Sequence, residues 1–125
     1  MVLEVSVVPG NAQVELSAVA AETYPQWPTG NEAAVADSST VAVATRPDME
    51  GPVRIVVGED LAATTASWSL VFEGVLTSPS GRYNVGSGIN GALFDVGVSA
   101  ERLHVRAFVR PSVEPSEVAF WVIAV

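Results

Sequence analysis

The chain has 125 residues, 14 of them acidic and six arginine, with no lysine, no cysteine and a formal net charge of −8. This excludes a disulfide framework, a thiol nucleophile and a thiolate metal site, and it disfavours direct binding to nucleic acid or anionic membrane, because like charges repel at long range. A hydrophobic content of 49% is too high for a disordered chain, yet no apolar run reaches the roughly 18 residues that span a bilayer.

Period-two alternation dominates from the start. "VLEVSVV" sets Leu3, Val5 and Val7 on one face, with Glu4 and Ser6 on the other. It lacks a basic leading region and reads as a strand, not as a secretory signal. A turn at Pro9, Gly10 and Asn11 followed by "QVELSAVA" predicts an N-terminal hairpin. Val14, Leu16 and Ala18 would face inward, and Gln13, Glu15 and Ser17 outward.

Residues 21–39 break the pattern. Pro25, Pro28 and Gly30 punctuate a long loop, and "NEAAVAD" predicts one short helix near 31–38 with Asn31 as its N-cap. Long loops in compact domains are commonly functional, so Tyr24 and Trp27 form a candidate interaction surface.

Alternation returns in "TVAVAT", turns at "RPDMEG" and continues in "PVRIVVG", where Val53, Ile55 and Val57 oppose Arg54. After the polar linker "EDLAATTAS", "WSLVFEGVLT" puts Trp68, Leu70 and Phe72 on one face, with a bulge expected at Glu73-Gly74. "SPSG" is a turn and "RYNV" a short strand. "GSGING" runs into the strand "ALFDVGV", whose Phe94, Val96 and Val98 share a face. With no helix after it and no lysine, this glycine loop is a hairpin connection and not a phosphate cradle.

The stretch "RLHVRAFVR" holds half of the arginines and the only histidine. Alternation assigns Leu103, Val105, Ala107 and Val109 to the core, and Arg102, His104, Arg106, Phe108 and Arg110 to the opposite face. Arg102, His104, Arg106 and Arg110 are therefore a second candidate interaction surface. Their competing role is a solvated face whose arginines pair with acids of neighbouring strands, such as Asp95 or Glu117. The closing "VAFWVIAV" is apolar on both faces, which suits a central strand covered on both sides or a homo-oligomer contact.

These elements predict an all-β, single-domain fold over residues 1–125: an antiparallel two-sheet β-sandwich of about eight or nine strands, with a closed barrel as the alternative. No catalytic constellation emerges. His104 has no nucleophile elbow to serve, one histidine without cysteine leaves no zinc set, and "RPDMEG" and "GEDLA" lack the alternating carboxylates of a calcium loop. We expect no catalytic residues, no metal and no cofactor. Arginine without lysine points to a GC-rich bacterial coding sequence, and the absence of cysteine and of a leader to the cytoplasm.

From Trp68 onward the chain resembles small bacterial proteins in which a W-x-x-V-x-E-x-x-L strand leads to a P-S-G turn and later to a Y-R-V-R-type strand. The matching positions are Trp68, Glu73, Leu76, Pro79, Ser80, Gly81, Leu103, Val105 and Arg106. "VAVATRPDMEGPVRIVV" fits their upstream strand-turn-strand. Leu103 stands where the pattern has an aromatic, and Glu101 where it has a glycine. The group is of the competence protein J type, which includes an inhibitor of a DNA-entry nuclease. The resemblance covers roughly two thirds of the chain and implies a β-sandwich and an inhibitory role.

The expected function is accordingly a non-enzymatic protein-interaction module, of inhibitor or immunity type, whose partner is a basic or nucleic-acid-binding protein. The alternatives are a sandwich that binds a small ligand or carbohydrate, and a structural protein that self-associates through its C-terminal strand.

Overall fold

The computed structural model describes residues 2–125. Ten strands follow in chain order: β1 (Val2–Val7), β2 (Gln13–Ala18), β3 (Ala34–Ala36), β4 (Thr40–Ala44), β5 (Val53–Gly58), β6 (Ser69–Thr77), β7 (Tyr83–Ser87), β8 (Ala92–Asp95), β9 (Arg102–Arg110) and β10 (Glu117–Ala124). They form two five-stranded sheets, one ordered β1-β5-β10-β9-β6 and the other β3-β4-β2-β7-β8. The all-β two-sheet sandwich is as expected, with ten strands where eight or nine were counted.

Alternation places the core correctly in β2, β5 and β9, whereas Trp68, Leu70 and Phe72 do not share a face: Leu70 is exposed, Trp68 lies in a separate cluster and Phe72 packs against the main core. Val14 and Leu16 of β2, Val41 and Val43 of β4, and Tyr83 and Val85 of β7 meet Ile55 of β5, Val118 and Phe120 of β10, and Leu103 and Val105 of β9 in one buried cluster. A second, smaller cluster lies outside the first sheet. There the segment between β5 and β6 folds back over Val56 and Ala119, bringing Leu61 and Trp68 onto them.

Several expectations need correction. β1 and β2 are not a hairpin: β1 pairs with β5, and β2 with β4 and β7, in different sheets. Asn11 and Ala12 adopt left-handed φ angles of 54° and 56°, a conformation that turns the chain from one sheet to the other instead of back on itself. The sheet is not wholly antiparallel either, because β10 lies parallel to β5.

No helix forms at 31–38. Val35 lies within β3, which pairs with β4. The Asp37 carboxylate accepts hydrogen bonds from the backbone N–H groups of Ser39 and Thr40, each at 2.9 Å, and so holds the tight turn between these strands. Asn31 caps nothing: Glu32 reaches back to the N–H groups of Thr29 and Gly30. The short α-helix is instead α1 (Ala62–Thr65), in the polar linker. The bulge in β6 falls between Leu70 and Phe72, so both Val71 and Phe72 pack against the core, while Glu73 and Gly74 stay in the ladder.

β10 is hydrogen-bonded on both sides, to β5 and β9. Self-association through this strand would therefore use its outer face, Trp121 and Ile123, and not a free edge.

Candidate functional site

β9 holds the arginine stripe as alternation requires, with Arg102, His104, Arg106 and Arg110 on the outer face of the first sheet and Leu103, Val105, Ala107 and Val109 buried beneath. Register then decides the chemistry. Glu73 of β6 stands opposite Arg106, and Glu117 of β10 opposite Arg110.

Arg106 Nε donates to Glu73 Oε2 at 2.9 Å, and His104 Nε2 lies 3.2 Å from the same oxygen. Arg110 donates to Glu117 Oε1 through Nε and Nη2 at 2.9 and 2.7 Å. Arg54 of β5 bridges Glu117 and Glu4. The guanidinium groups also stack, Arg110 over Trp68 at 4.6 Å and Arg106 over Trp121 at 5.6 Å. Among the described residues Arg102 is the one arginine of the stripe outside an ion pair. Of the two acids considered as partners, Glu117 is used, whereas Asp95 pairs with Arg82 near the opposite sheet. Arg106 and Arg110 are thus neutralised in place across strands.

Hydrogen bonding from Arg106 holds the Glu73 carboxyl below its ordinary range, and Arg82 does the same for Asp95. At Glu117 burial opposes the shift, but hydrogen bonds from Arg110 and Arg54 outweigh it and the carboxyl again lies low. A group whose folded pKa is depressed stabilises the fold above its unfolded pKa, and that contribution disappears as pH falls through the folded value. The thermal midpoint should therefore be flat with respect to these groups above the usual carboxylate range, about pH 4, and fall progressively below it. Thermal melts from pH 7 to pH 2.5 at constant ionic strength check this; a midpoint that rises on acidification would contradict it.

Tyr24 and Trp27 belong to the other sheet, and the structure does not bring them to the stripe. Tyr24 folds over β2, where Gln13 Nε2 donates to its hydroxyl at 2.5 Å. Trp27 is half-buried in a separate recess with Asn11, Gly30 and Thr45. Among the described residues its indole N–H is buried without a partner.

Trp27 leads to a feature that sequence reasoning passed over. The connections 9–12, 27–33, 45–52 and 111–116 gather at one end of the sandwich. Thr45 N–H donates to Ala12 O at 2.8 Å, Ala44 N–H to Ala33 O at 3.0 Å, and Arg46 N–H to Pro115 O at 2.9 Å. A cleft of about 280 Å³ opens there between the sheets, lined by Glu32, Val71, Val109, Val113 and Glu114.

The tips of this end are unusual. Met49 is 93% exposed and Val113 76%, the two most exposed large apolar side chains of the described residues. Asp48 and Glu50 flank the first and Glu114 adjoins the second, and among the described residues none of these acids is in an ion pair. Three of the four non-glycine residues with positive φ among the described residues, Asn11, Ala12 and Glu114, lie at this end. Sparsely populated backbone conformations tend to collect at binding sites. The sequence signal was a lone large apolar residue inside an acidic turn, in "PDMEG" and "SVEPS".

Among the described residues no three histidine or acidic side chains converge on a metal position, and no helix is long and apolar enough to cross a membrane. No protein-family model, no curated protein and no solved structure matches the chain.

Proposed function

We propose that this chain is a non-enzymatic protein-interaction module that meets a basic protein through the loop end of its sandwich. One observation carries the reading: the most exposed apolar tips are bordered by Asp48, Glu50 and Glu114, none of which enters an ion pair among the described residues, while the one arginine of this end, Arg46, is turned to the backbone carbonyl of Pro52. Among the described residues only Glu4, Glu73, Asp95 and Glu117 of the 14 acids enter ion pairs with arginine, so the remaining field is negative and steers a basic surface inward. Met49 and Val113 would supply apolar contact area within that field, in the manner of anchors ringed by polar groups. Loops held by a rigid sandwich are well suited to such recognition. The inhibitor or immunity role implied by the resemblance to competence protein J type proteins is the specific form of this proposal, with the bacterial cytoplasm as its place of action.

The test uses the intact protein as bait in extract of its host. A basic protein should be captured at low salt and released at high salt. The loop variant Asp48→Arg/Glu50→Arg/Glu114→Arg should lose at least about tenfold in affinity for it, or about 1.4 kcal/mol, whereas Arg102→Ala/His104→Ala should bind as before. Capture that survives the loop variant, or recovery of nothing beyond the bait, would remove the proposal.

A further inference from the structure

The outer face of the second sheet holds a carboxylate that alternation assigns to solvent but the fold buries. Glu15 is central on β2, opposite Ala42 on one side and Gly86 on the other, and only 7% of it is exposed. The loop after β2 lays Tyr24 across it, leaving a cavity of about 330 Å³ lined by Glu15, Thr40, Asn84, Tyr24, Ile89 and Leu93, among others.

The hydrogen bonding of this cavity is incomplete. Gly88 N–H donates to Glu15 Oε1 at 2.8 Å, and the Tyr24 hydroxyl accepts from Gln13 Nε2; burial together with the neighbouring Glu15 charge pushes the phenol up to about 12. An ionised carboxylate accepts about four hydrogen bonds, so most of the acceptor capacity of Glu15 is open. Thr40 is 1% exposed, and among the described residues its hydroxyl has no partner. No arginine or histidine lines the cavity. A buried carboxylate without a cation is costly, and this one is partnered so far only by neutral donors.

We infer that this cavity binds a small organic ammonium ion, a protonated primary amine carrying a short alkyl chain. Glu15 supplies the counter-charge, and the Thr40 hydroxyl and Asn84 carbonyl supply acceptors for the remaining N–H groups. The Tyr24 ring adds an aromatic face of the kind that attracts cations. Ile89 and Leu93, both exposed on the rim, offer an apolar wall for the alkyl chain. An anion would meet the carboxylate without compensation, and a neutral sugar would leave its charge unpaired. The site is independent of the loop-end surface, so either proposal can fail without the other.

Titration of the uniformly ¹⁵N-labelled protein with n-butylammonium, and with n-butanol and butanoate as neutral and anionic counterparts, tests the inference. Saturable shifts centred on the Gly88 and Thr40 amides are expected with the amine alone, and Glu15→Gln should weaken them at least tenfold. Leu93→Ser, an exposed change that leaves the fold intact, should flatten the gain in affinity from n-propyl- to n-hexylammonium and serves if Glu15→Gln does not fold. Shifts that do not saturate, an equal response to n-butanol, or unchanged binding in both variants would overturn the inference. So would a lysine-containing tripeptide binding tenfold more tightly than n-butylammonium, which would assign the cavity to a partner's lysine.

Discussion

Phe120→Ala is expected to cost about 3–5 kcal/mol of stability, at the upper end for a buried aromatic. Phe120 is fully buried on β10, opposite Val57 of β5 and Ala107 of β9. The small Ala107 leaves the room that the ring fills. Because β10 is hydrogen-bonded on both sides, the strand cannot shift to close the cavity, so the lost contacts are not regained. In urea the midpoint should fall with little change in slope, and the thermal midpoint by on the order of 10–20 °C. Leu70→Ala is the matched control, since Leu70 is half exposed on the outer face of β6 and its loss should stay within about 0.5 kcal/mol. Equal losses at the two positions would mean that β10 is not the centre of the core.

Gly86→Ala should be comparably damaging for a different reason. Gly86 has φ +142°, and a Cβ there would lie 2.0 Å from Ala92 O. The obstacle is backbone of the paired strand β8, so no rotamer change can relieve it. Strain from the positive φ, about 1–3 kcal/mol, adds to displacement of β8, and the combined loss should reach roughly 3–5 kcal/mol. Gly91→Ala separates the two contributions, because Gly91 has φ +69° with nothing within 4 Å of a new Cβ. It should show the backbone cost alone, about 1 kcal/mol. Urea denaturation of the three proteins side by side checks this; a Gly86→Ala protein no weaker than Gly91→Ala would refute the steric argument. Gly86 also sets the distance between β7 and the Leu93 rim, so the substitution should perturb the Glu15 cavity as well.

The two outer faces of the sandwich solve the burial of charge in opposite ways. On the first sheet the arginines are met by Glu73 and Glu117 across strands, and exposed pairs of this sort contribute little stability. On the second, Glu15 is covered by a loop and meets only neutral donors. The stripe that stood out in the sequence is thus the quieter of the two faces, and an acid that looked like routine strand decoration is the more informative residue.

The alternation of "RLHVRAFVR" was legible because strand geometry sends successive side chains to opposite faces whatever the neighbours are. The same rule placed Val14, Leu16 and Ala18 in the core. It could not say which strand lies beside which, since a period of two is common to every partner. The sequence therefore suggested a hairpin of β1 and β2, whereas left-handed Asn11 and Ala12 send the chain to the other sheet. The helix expected at 31–38 failed similarly: alanine-rich composition favours helix weakly, and pairing with β4 together with the Asp37-held turn outweighs it.

The sequence by itself determined that this is an all-β chain without cysteine or lysine, acidic overall, with the core face of its regularly alternating strands, β2, β5 and β9, marked by period two. Those properties follow from composition and local geometry. Only the tertiary structure decided that Arg106 and Arg110 are neutralised, because a charge finds its partner through cross-strand register. It also decided that Met49 and Val113 stand exposed at the same end of the sandwich as Asp48, Glu50 and Glu114, and that Glu15 is enclosed beside a Thr40 hydroxyl with no partner among the described residues. Each of these depends on segments distant in the chain meeting in space, and no local pattern encodes such a meeting.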